Sequence, residues 1–246
     1  MKTRNIKLVI QYDGSGFYGW QVQPGRATIQ GEIAGVLKSL TGQSIIVNGS
    51  SRTDAGVSAL GQVANIKIQS PIPTENFAKA LTDRLPEQIS VIEAVEMGED
   101  FDAISCTKTK QYRYTIYTGR NRPVLNINHC WHRPGELDVN AMNVSAKMLI
   151  GKHDFKSFAS AADQRQSSVR TIIDCRVLRD GEYVYIDVEA DGFLYNMVRN
   201  IVGTFIEVGR GRWRPEYVED ILAAKDRSAA GPIAPASGLC LMWIKY

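Results

Sequence analysis

The chain has few of the features that mark membrane, secreted or fibrous proteins. No apolar run in its 246 residues approaches the ~20 that a membrane-spanning helix needs. The opening residues, Met1-Lys2-Thr3-Arg4-Asn5, run straight into a strand-like pattern, without the apolar stretch of a signal peptide. Only four cysteines occur, scattered at Cys106, Cys130, Cys175 and Cys240. That spacing excludes a disulfide-dense framework and suits reduced thiols, so a cytoplasmic location is expected. With 44% hydrophobic and 22% charged residues, the chain is also neither disordered nor collagen-like.

Several cofactor and hydrolase signatures are missing. Gly209-Arg210-Gly211-Arg212 lacks the Lys-Ser/Thr of a phosphate loop. His129, Cys130 and His132 lie close together, but no second Cys/His pair completes a zinc set. His153 and Asp154 are adjacent, yet no nucleophile elbow accompanies them. No dinucleotide fingerprint follows the first strand. The expectation is a protein without metal or cofactor.

Acidic charge is absent where basic charge is dense. The net charge is +3. Between Thr107 and Arg133 lie Lys108, Lys110, Arg113, Arg120, Arg122 and Arg133, with no Asp or Glu. Tyr112, Tyr114, Tyr117 and Trp131 interleave with them. Cations among aromatics suit a phosphate backbone with unstacked bases; a solvated edge strand carrying ordinary charges reads the same way.

Periodicity outlines the elements. Ile6, Leu8, Ile10 and Tyr12 alternate with Lys7, Val9 and Gln11, as in a strand. Thr28 is placed to cap a helix carrying Ile29, Ile33, Val36, Leu37 and Leu40. Strands are expected near 45–47 and 63–68, a helix from Thr74 with Phe77, Leu81 and Leu85, and a strand over 90–96. In the second half a long strand near 107–118 precedes a helix after Asp138, with Val139, Met142, Ala146 and Leu149 inward. Strands over 171–179 and 182–190 flank Asp180-Gly181, a hairpin signal. Helices near 195–208 and 216–225 precede a last strand over 239–246. Regular βαβα alternation is absent, so an α+β class is expected. No Pro-, Gly- or Ser-rich linker separates the halves, which implies one shared sheet, with antiparallel or mixed pairing expected.

The densest chemistry lies in Gly49-Ser50-Ser51-Arg52-Thr53-Asp54-Ala55-Gly56-Val57-Ser58-Ala59-Leu60. An Arg two residues before an Asp sits in a small-residue loop between strands, where reactive groups are usually placed. An ordinary turn has the same composition.

This segment resembles the signature loop of the bacterial tRNA pseudouridine synthase A family, Gly-Arg-Thr-Asp-Ala-Gly-Val-His-Ala. Five further segments are similar to that family, in order: Tyr12-Asp13-Gly14 with Phe17 and Gly19-Trp20-Gln21; Lys110-Gln111-Tyr112-Arg113-Tyr114; His153-Asp154-Phe155 with Phe158; Met197-Val198-Arg199-Asn200-Ile201-Val202-Gly203; and Pro235-Ala236-Ser237-Gly238-Leu239. Together they span nearly the whole chain. Two departures stand in the signature: Ser51 replaces the Gly before Arg52, and Ser58 replaces the His. A Ser keeps a hydrogen-bonding hydroxyl but has no basic nitrogen.

The resemblance implies a fold of two α/β subdomains, here 1–105 and 106–246, sharing a central mainly antiparallel sheet. It implies conversion of uridine to pseudouridine at positions 38 to 40 of the tRNA anticodon stem-loop, by a homodimer with no cofactor. By position it makes Asp54 the nucleophile, a role suited to a carboxylate, which can add to the substrate and leave again. Arg199 would pair with Asp54 and keep it ionised. Tyr112 would stack on the extracted uracil, Arg52 would enter the RNA where the base leaves, and Leu239 would wall the uracil pocket. Tyr114, two residues from Tyr112, reads as core. One alternative is a catalytically silent RNA-binding or chaperone protein on the same fold, for which Ser58 speaks. Another is a glycosidase-like enzyme with Asp54 as nucleophile, but no second carboxylate advertises itself.

Overall fold

The computed structural model describes residues 2–246. In chain order the elements are β1 (Arg4–Tyr12), α1 (Ile29–Thr41), β2 (Asn48–Gly49), β3 (Ser58–Ile68), α2 (Thr74–Thr82), β4 (Ile89–Met97), β5 (Thr109–Tyr117), β6 (Trp131–His132), α3 (Val139–Met148), β7 (Gly151–Asp154), β8 (Val169–Asp180), β9 (Tyr183–Ala190), α4 (Met197–Gly209), α5 (Tyr217–Ala224) and β10 (Leu239–Lys245). The class is α+β. Two compact units divide the chain: one runs to Lys108 and regains Leu241–Tyr246, the other is Thr109–Cys240.

In the first unit β1 lies between β3 and β4, antiparallel to both. The short β2 pairs antiparallel with β3, and β10 lies on the far side of β3 from β1. The two faces of β1 follow its alternation. Ile6, Leu8 and Ile10 are fully buried, as are Ile29, Ile33 and Leu37 of α1 and Phe77 and Leu81 of α2. Each such side chain contributes about 1.5–3 kcal/mol on burial. On the other face Val9 packs with Val63, Phe101 and Ala103, and Ile244 and Tyr246 close that cluster. α1 begins as its cap residue dictates, with the Thr28 hydroxyl accepting from the Gly31 amide, and ends at Gly42 with φ 70.

In the second unit the order is β5-β9-β8-β7, all antiparallel, with β6 parallel to β5. The Asp138 side chain caps α3 through the Ala141 amide. α4 is buried almost throughout, because the segment after α5 presses on it. A Cβ at Gly203 would lie 1.6 Å from the Pro232 carbonyl oxygen, so only glycine fits there. Asn200 donates to the Phe158 carbonyl and accepts from Arg227.

Two local expectations are corrected. Residues 45–47 form no strand; the Gln30 amide side chain takes the Val47 carbonyl, and pairing with β3 starts only at Asn48. In the β8–β9 hairpin Asp180 pairs with Tyr183, so the loop is Gly181-Glu182. Gly181 takes the first loop position at φ 55, as a Gly-X hairpin turn requires.

Candidate active site

Arg52 and Asp54 share the loop between β2 and β3. Five observations define how the first unit holds it. Its entrance is fixed by Gln62 of β3, whose side chain donates to the Ser51 carbonyl (2.6 Å) and accepts from the Ser51 amide (3.2 Å). The Tyr12 and Thr53 hydroxyls are 2.7 Å apart. The Trp20 amide donates to the Thr53 carbonyl and the Gly56 amide to that of Phe17. The Val57 amide closes a turn on the Asp54 carbonyl, with Gly56 at φ 77. Finally, Gly14 and Gly19 leave room for the loop backbone: a Cβ would lie 2.1 Å from the Val57 oxygen at the first and 2.6 Å from the Thr53 oxygen at the second.

The opening motif is therefore the bed of the signature loop. Tyr12, Gly14, Gly19 and Trp20 are spread along the chain because each meets a different point of one backbone. Thr53 is buried, Asp54 half-buried and Arg52 exposed. The loop thus turns inward at Thr53 and presents Arg52 to solvent.

Ser58 is built into this bed. It is 9% exposed, and its hydroxyl accepts the Gly14 amide at 3.1 Å. Ser58 thus satisfies a buried donor at the joint between β1 and the signature loop. The sequence did not single out Gln62; an amide flanked by apolar and small residues in β3, as Asn65 also is, was the available signal.

Tyr112, Arg199 and Leu239 belong to the second unit. Tyr112 on β5 is 6% exposed, with the Phe193 ring edge-on at 5.1 Å. Its neighbour of like parity, Tyr114, is fully buried. The Tyr114 hydroxyl donates to the Pro235 carbonyl, and Gly238 abuts its ring so closely that a Cβ would lie 2.6 Å away. Burial pushes its pKa up, further than the nearby Arg199 lowers it. Tyr114 is core, and it anchors the segment that ends at Leu239. Leu239 is 7% exposed and begins β10. Arg199 is half-buried on α4. Its guanidinium donates to the Ala234 carbonyl (2.8 Å) and to Asn196 (3.2 Å), and its own carbonyl accepts from the Ala234 amide.

The His-Asp-Phe segment is structural. Asp154 accepts from Ser168 and from the Lys156 amide and pairs with Lys225 at 3.5 Å. The Ser168 bond first, then the Lys156 amide and Lys225, hold its pKa below the usual carboxylate value despite partial burial. Phe155 and Phe158 are fully buried.

The basic stretch is not uniform. Arg113 forms a two-point ion pair with Asp187 (2.7 and 2.8 Å), a carboxylate only 1% exposed. Arg176 joins it at 3.2 Å, and hydrogen bonding to Asp187 raises the Arg113 pKa. Lys110 is pushed down to about 8 by burial and by nearby Arg165. Arg120 and Arg122 are exposed. Trp131 stands edge-on to Tyr114. Of the interleaved aromatics, Tyr112 and Tyr114 are buried, so the stretch does not form a continuous open stacking surface.

The tRNA pseudouridine synthase family pattern matches residues 8–104 and 145–246. The chain is 45% identical over 243 residues to tRNA pseudouridine synthase A 2 of Clostridium perfringens, covering 99% of this chain and all of the relative. It is 47% identical to tRNA pseudouridine synthase A of Moorella thermoacetica, covering 98% and 99%. With the enzyme of that name from Caldicellulosiruptor saccharolyticus it shares 44%, covering 99% and 100%. These matches span the loop that carries Asp54 and the bed beneath it, and by them the chain belongs to the tRNA pseudouridine synthase A family.

Proposed function

We propose that this chain isomerises uridine to pseudouridine at positions 38 to 40 of the tRNA anticodon stem-loop, with Asp54 as the nucleophile. The reaction breaks the bond from ribose C1′ to uracil N1, turns the base and joins C1′ to C5. The hydrogen on C5 leaves as a proton and N1 gains one, so atoms balance and no electrons are exchanged. An ionised carboxylate that adds to the substrate and later leaves is suited to this.

The observation that carries the reading is the hydrogen-bonded bed that fixes the Asp54 loop on both sides, at Ser51, Thr53 and Gly56. A carboxylate nucleophile needs such fixed geometry to act on a bound base. Arg199 is proposed as the cation that keeps Asp54 ionised, Tyr112 as the ring facing uracil, Leu239 as a wall of its pocket, and Arg52 as the side chain that takes the place of the extracted base.

A homodimer is proposed as the working form, through the outer face of the second unit's sheet. That face carries Tyr183 and Tyr185 stacked at 6.1 Å, Tyr117 against Tyr183, and Leu178 46% exposed. A cytoplasmic location is proposed from the four scattered cysteines, which form no disulfide among the described residues. No helix among the described residues is long and apolar enough to cross a membrane.

Asp54→Asn tests the assignment. The amide keeps the shape but cannot act as a carboxylate nucleophile. Tritium release from C5-labelled uridine in tRNA should vanish, while tRNA affinity stays within a few-fold, because phosphate contacts supply most of it. Substantial turnover in the variant overturns the assignment. Loss of binding together with turnover assigns Asp54 to RNA-loop organisation instead. Wild-type protein that binds tRNA without releasing tritium supports the silent RNA-binding alternative.

A further inference from the structure

The loop between β1 and α1 does more than support Asp54. From Gly14 to Gly31 it contains no Asp or Glu, and residues 21–27 are exposed throughout. Within it the Arg26 guanidinium lies over the Tyr18 ring at 4.3 Å. Tyr18 is 46% exposed, and Arg26 has no carboxylate within ion-pair reach among the described residues. The pair presents a planar cation, already stacked on a ring and with no anion to neutralise it, at the surface.

The loop is also preorganised. The Tyr18 amide donates to the Ala27 carbonyl, and the Arg26 amide to that of Gln23. The Gln23 side chain returns to the Tyr18 carbonyl. Gln30 accepts from the Val22 amide and the Gln21 side chain. Gly25 supplies the positive φ of 71 at the tip. Gly19, next to Tyr18, packs directly on the backbone from Thr53 to Ala55. The stacked pair is therefore set at a fixed position beside the Asp54 loop.

We propose that Tyr18 and Arg26 form a docking shelf for one unpaired nucleotide of the RNA substrate. The base stacks on the guanidinium–phenol pair, and the guanidinium edge meets its phosphate. The chemistry fits: every base has a π face, and a planar cation already stacked on a ring loses little freedom on binding. The shelf rests on the proposed action on tRNA and extends it, holding the strand beside the nucleotide being modified. Its role is positioning, so it acts on binding rather than on the chemical step.

The experiment compares wild type with Arg26→Lys, which keeps the charge but loses the planar face, and Tyr18→Leu, which keeps bulk but loses the ring. Unmodified tRNA is titrated at two salt concentrations, and kcat and KM are measured by tritium release. Each variant should weaken tRNA binding and raise KM about five- to tenfold, at the low end for one base stack. The kcat should stay within twofold and the melting temperature should be unchanged. Unchanged affinity in both variants overturns the shelf. So does a fall in kcat at constant KM, or in melting temperature, which would make the pair a brace for the Asp54 loop. Arg26→Gln separates stacking from charge: if only this variant weakens binding, the site is a phosphate contact and the stacked base is wrong. The titration needs no turnover, so an inactive wild type would refute the proposed function while leaving the shelf to be decided by binding.

Discussion

The backbone amide of Trp20 donates to the carbonyl of Thr53 across 3.0 Å, joining the opening segment to the residue before Asp54. Together with the Tyr12 hydroxyl on Thr53 and the Phe17 carbonyl on the Gly56 amide, it makes the candidate nucleophile's geometry a property of residues some forty positions upstream. Changes in that bed should therefore reach the chemistry without touching Asp54.

Gly14→Ala is the most direct test of that coupling. Its new methyl would lie 2.1 Å from the Val57 carbonyl oxygen, a backbone atom. Relief requires β1 and the signature loop to part, at a cost of about 1–3 kcal/mol. Melting temperature should fall and turnover should drop more than tenfold. Gly16→Ala, where a Cβ meets nothing within 4 Å, should leave both unchanged. Equal behaviour of the two variants would show that the bed does not position the loop.

Ser58 accepts the Gly14 amide, so Ser58→Ala strands a buried donor. The expected loss is about 1–3 kcal/mol of stability, measured by denaturant titration. Ser58→His should be tolerated, since an imidazole nitrogen can accept the same bond. Its turnover should change less than about tenfold, or ~1.4 kcal/mol. A hundredfold gain would instead show that a proton-transfer group is missing from the natural chain.

Much of the fold was legible because it is local. The caps at Thr28 and Asp138 and the alternation of β1 can each be read from a few neighbouring residues. The same is true of the apolar face of α1. What could not be read depends on contacts between distant residues. Nothing near Val47 says that Gln30 will claim its carbonyl and deny it a strand. Tyr114 reads as core from the sequence, but nothing there says that Pro235 and Gly238, more than a hundred residues on, are what hold it. The candidate site's residues were singled out through resemblance. The reason for Tyr12, Gly14, Gly19 and Trp20 was not, because their common partner is a backbone.

Asp154 gives a pH signature. Its folded pKa lies below the ordinary carboxylate value, chiefly through Ser168. Its contribution to stability is therefore present above the unfolded pKa of about 3.9 and is lost as pH falls through the folded value. Asp154→Asn should be less stable than wild type at neutral pH, and the gap should close in acid. A gap independent of pH from 7 to 2 would mean that the carboxylate's charge contributes nothing there.

The basic stretch of the second unit holds arginines of two kinds, and binding should separate them. Arg113 is committed to Asp187, a carboxylate 1% exposed, so Arg113→Ala leaves a buried anion with Arg176 as its remaining partner. Losing one member of a buried pair costs about 3–5 kcal/mol when the other is stranded. Here Arg176 is half-exposed and retained, so the loss should fall below that range. Arg120 and Arg122 are exposed and carry no such duty. Replacing both with Ala should leave the melting temperature within a degree or two but weaken tRNA binding. If each contacts a phosphate, the slope of log affinity against log salt should flatten by roughly 0.7–0.9 per contact. Arg113→Ala should do the reverse, lowering stability with the slope intact. A double variant with an unchanged slope would remove Arg120 and Arg122 from the RNA interface. A flattened slope in Arg113→Ala, with stability preserved, would mean that the Asp187 pair opens to let Arg113 reach the RNA.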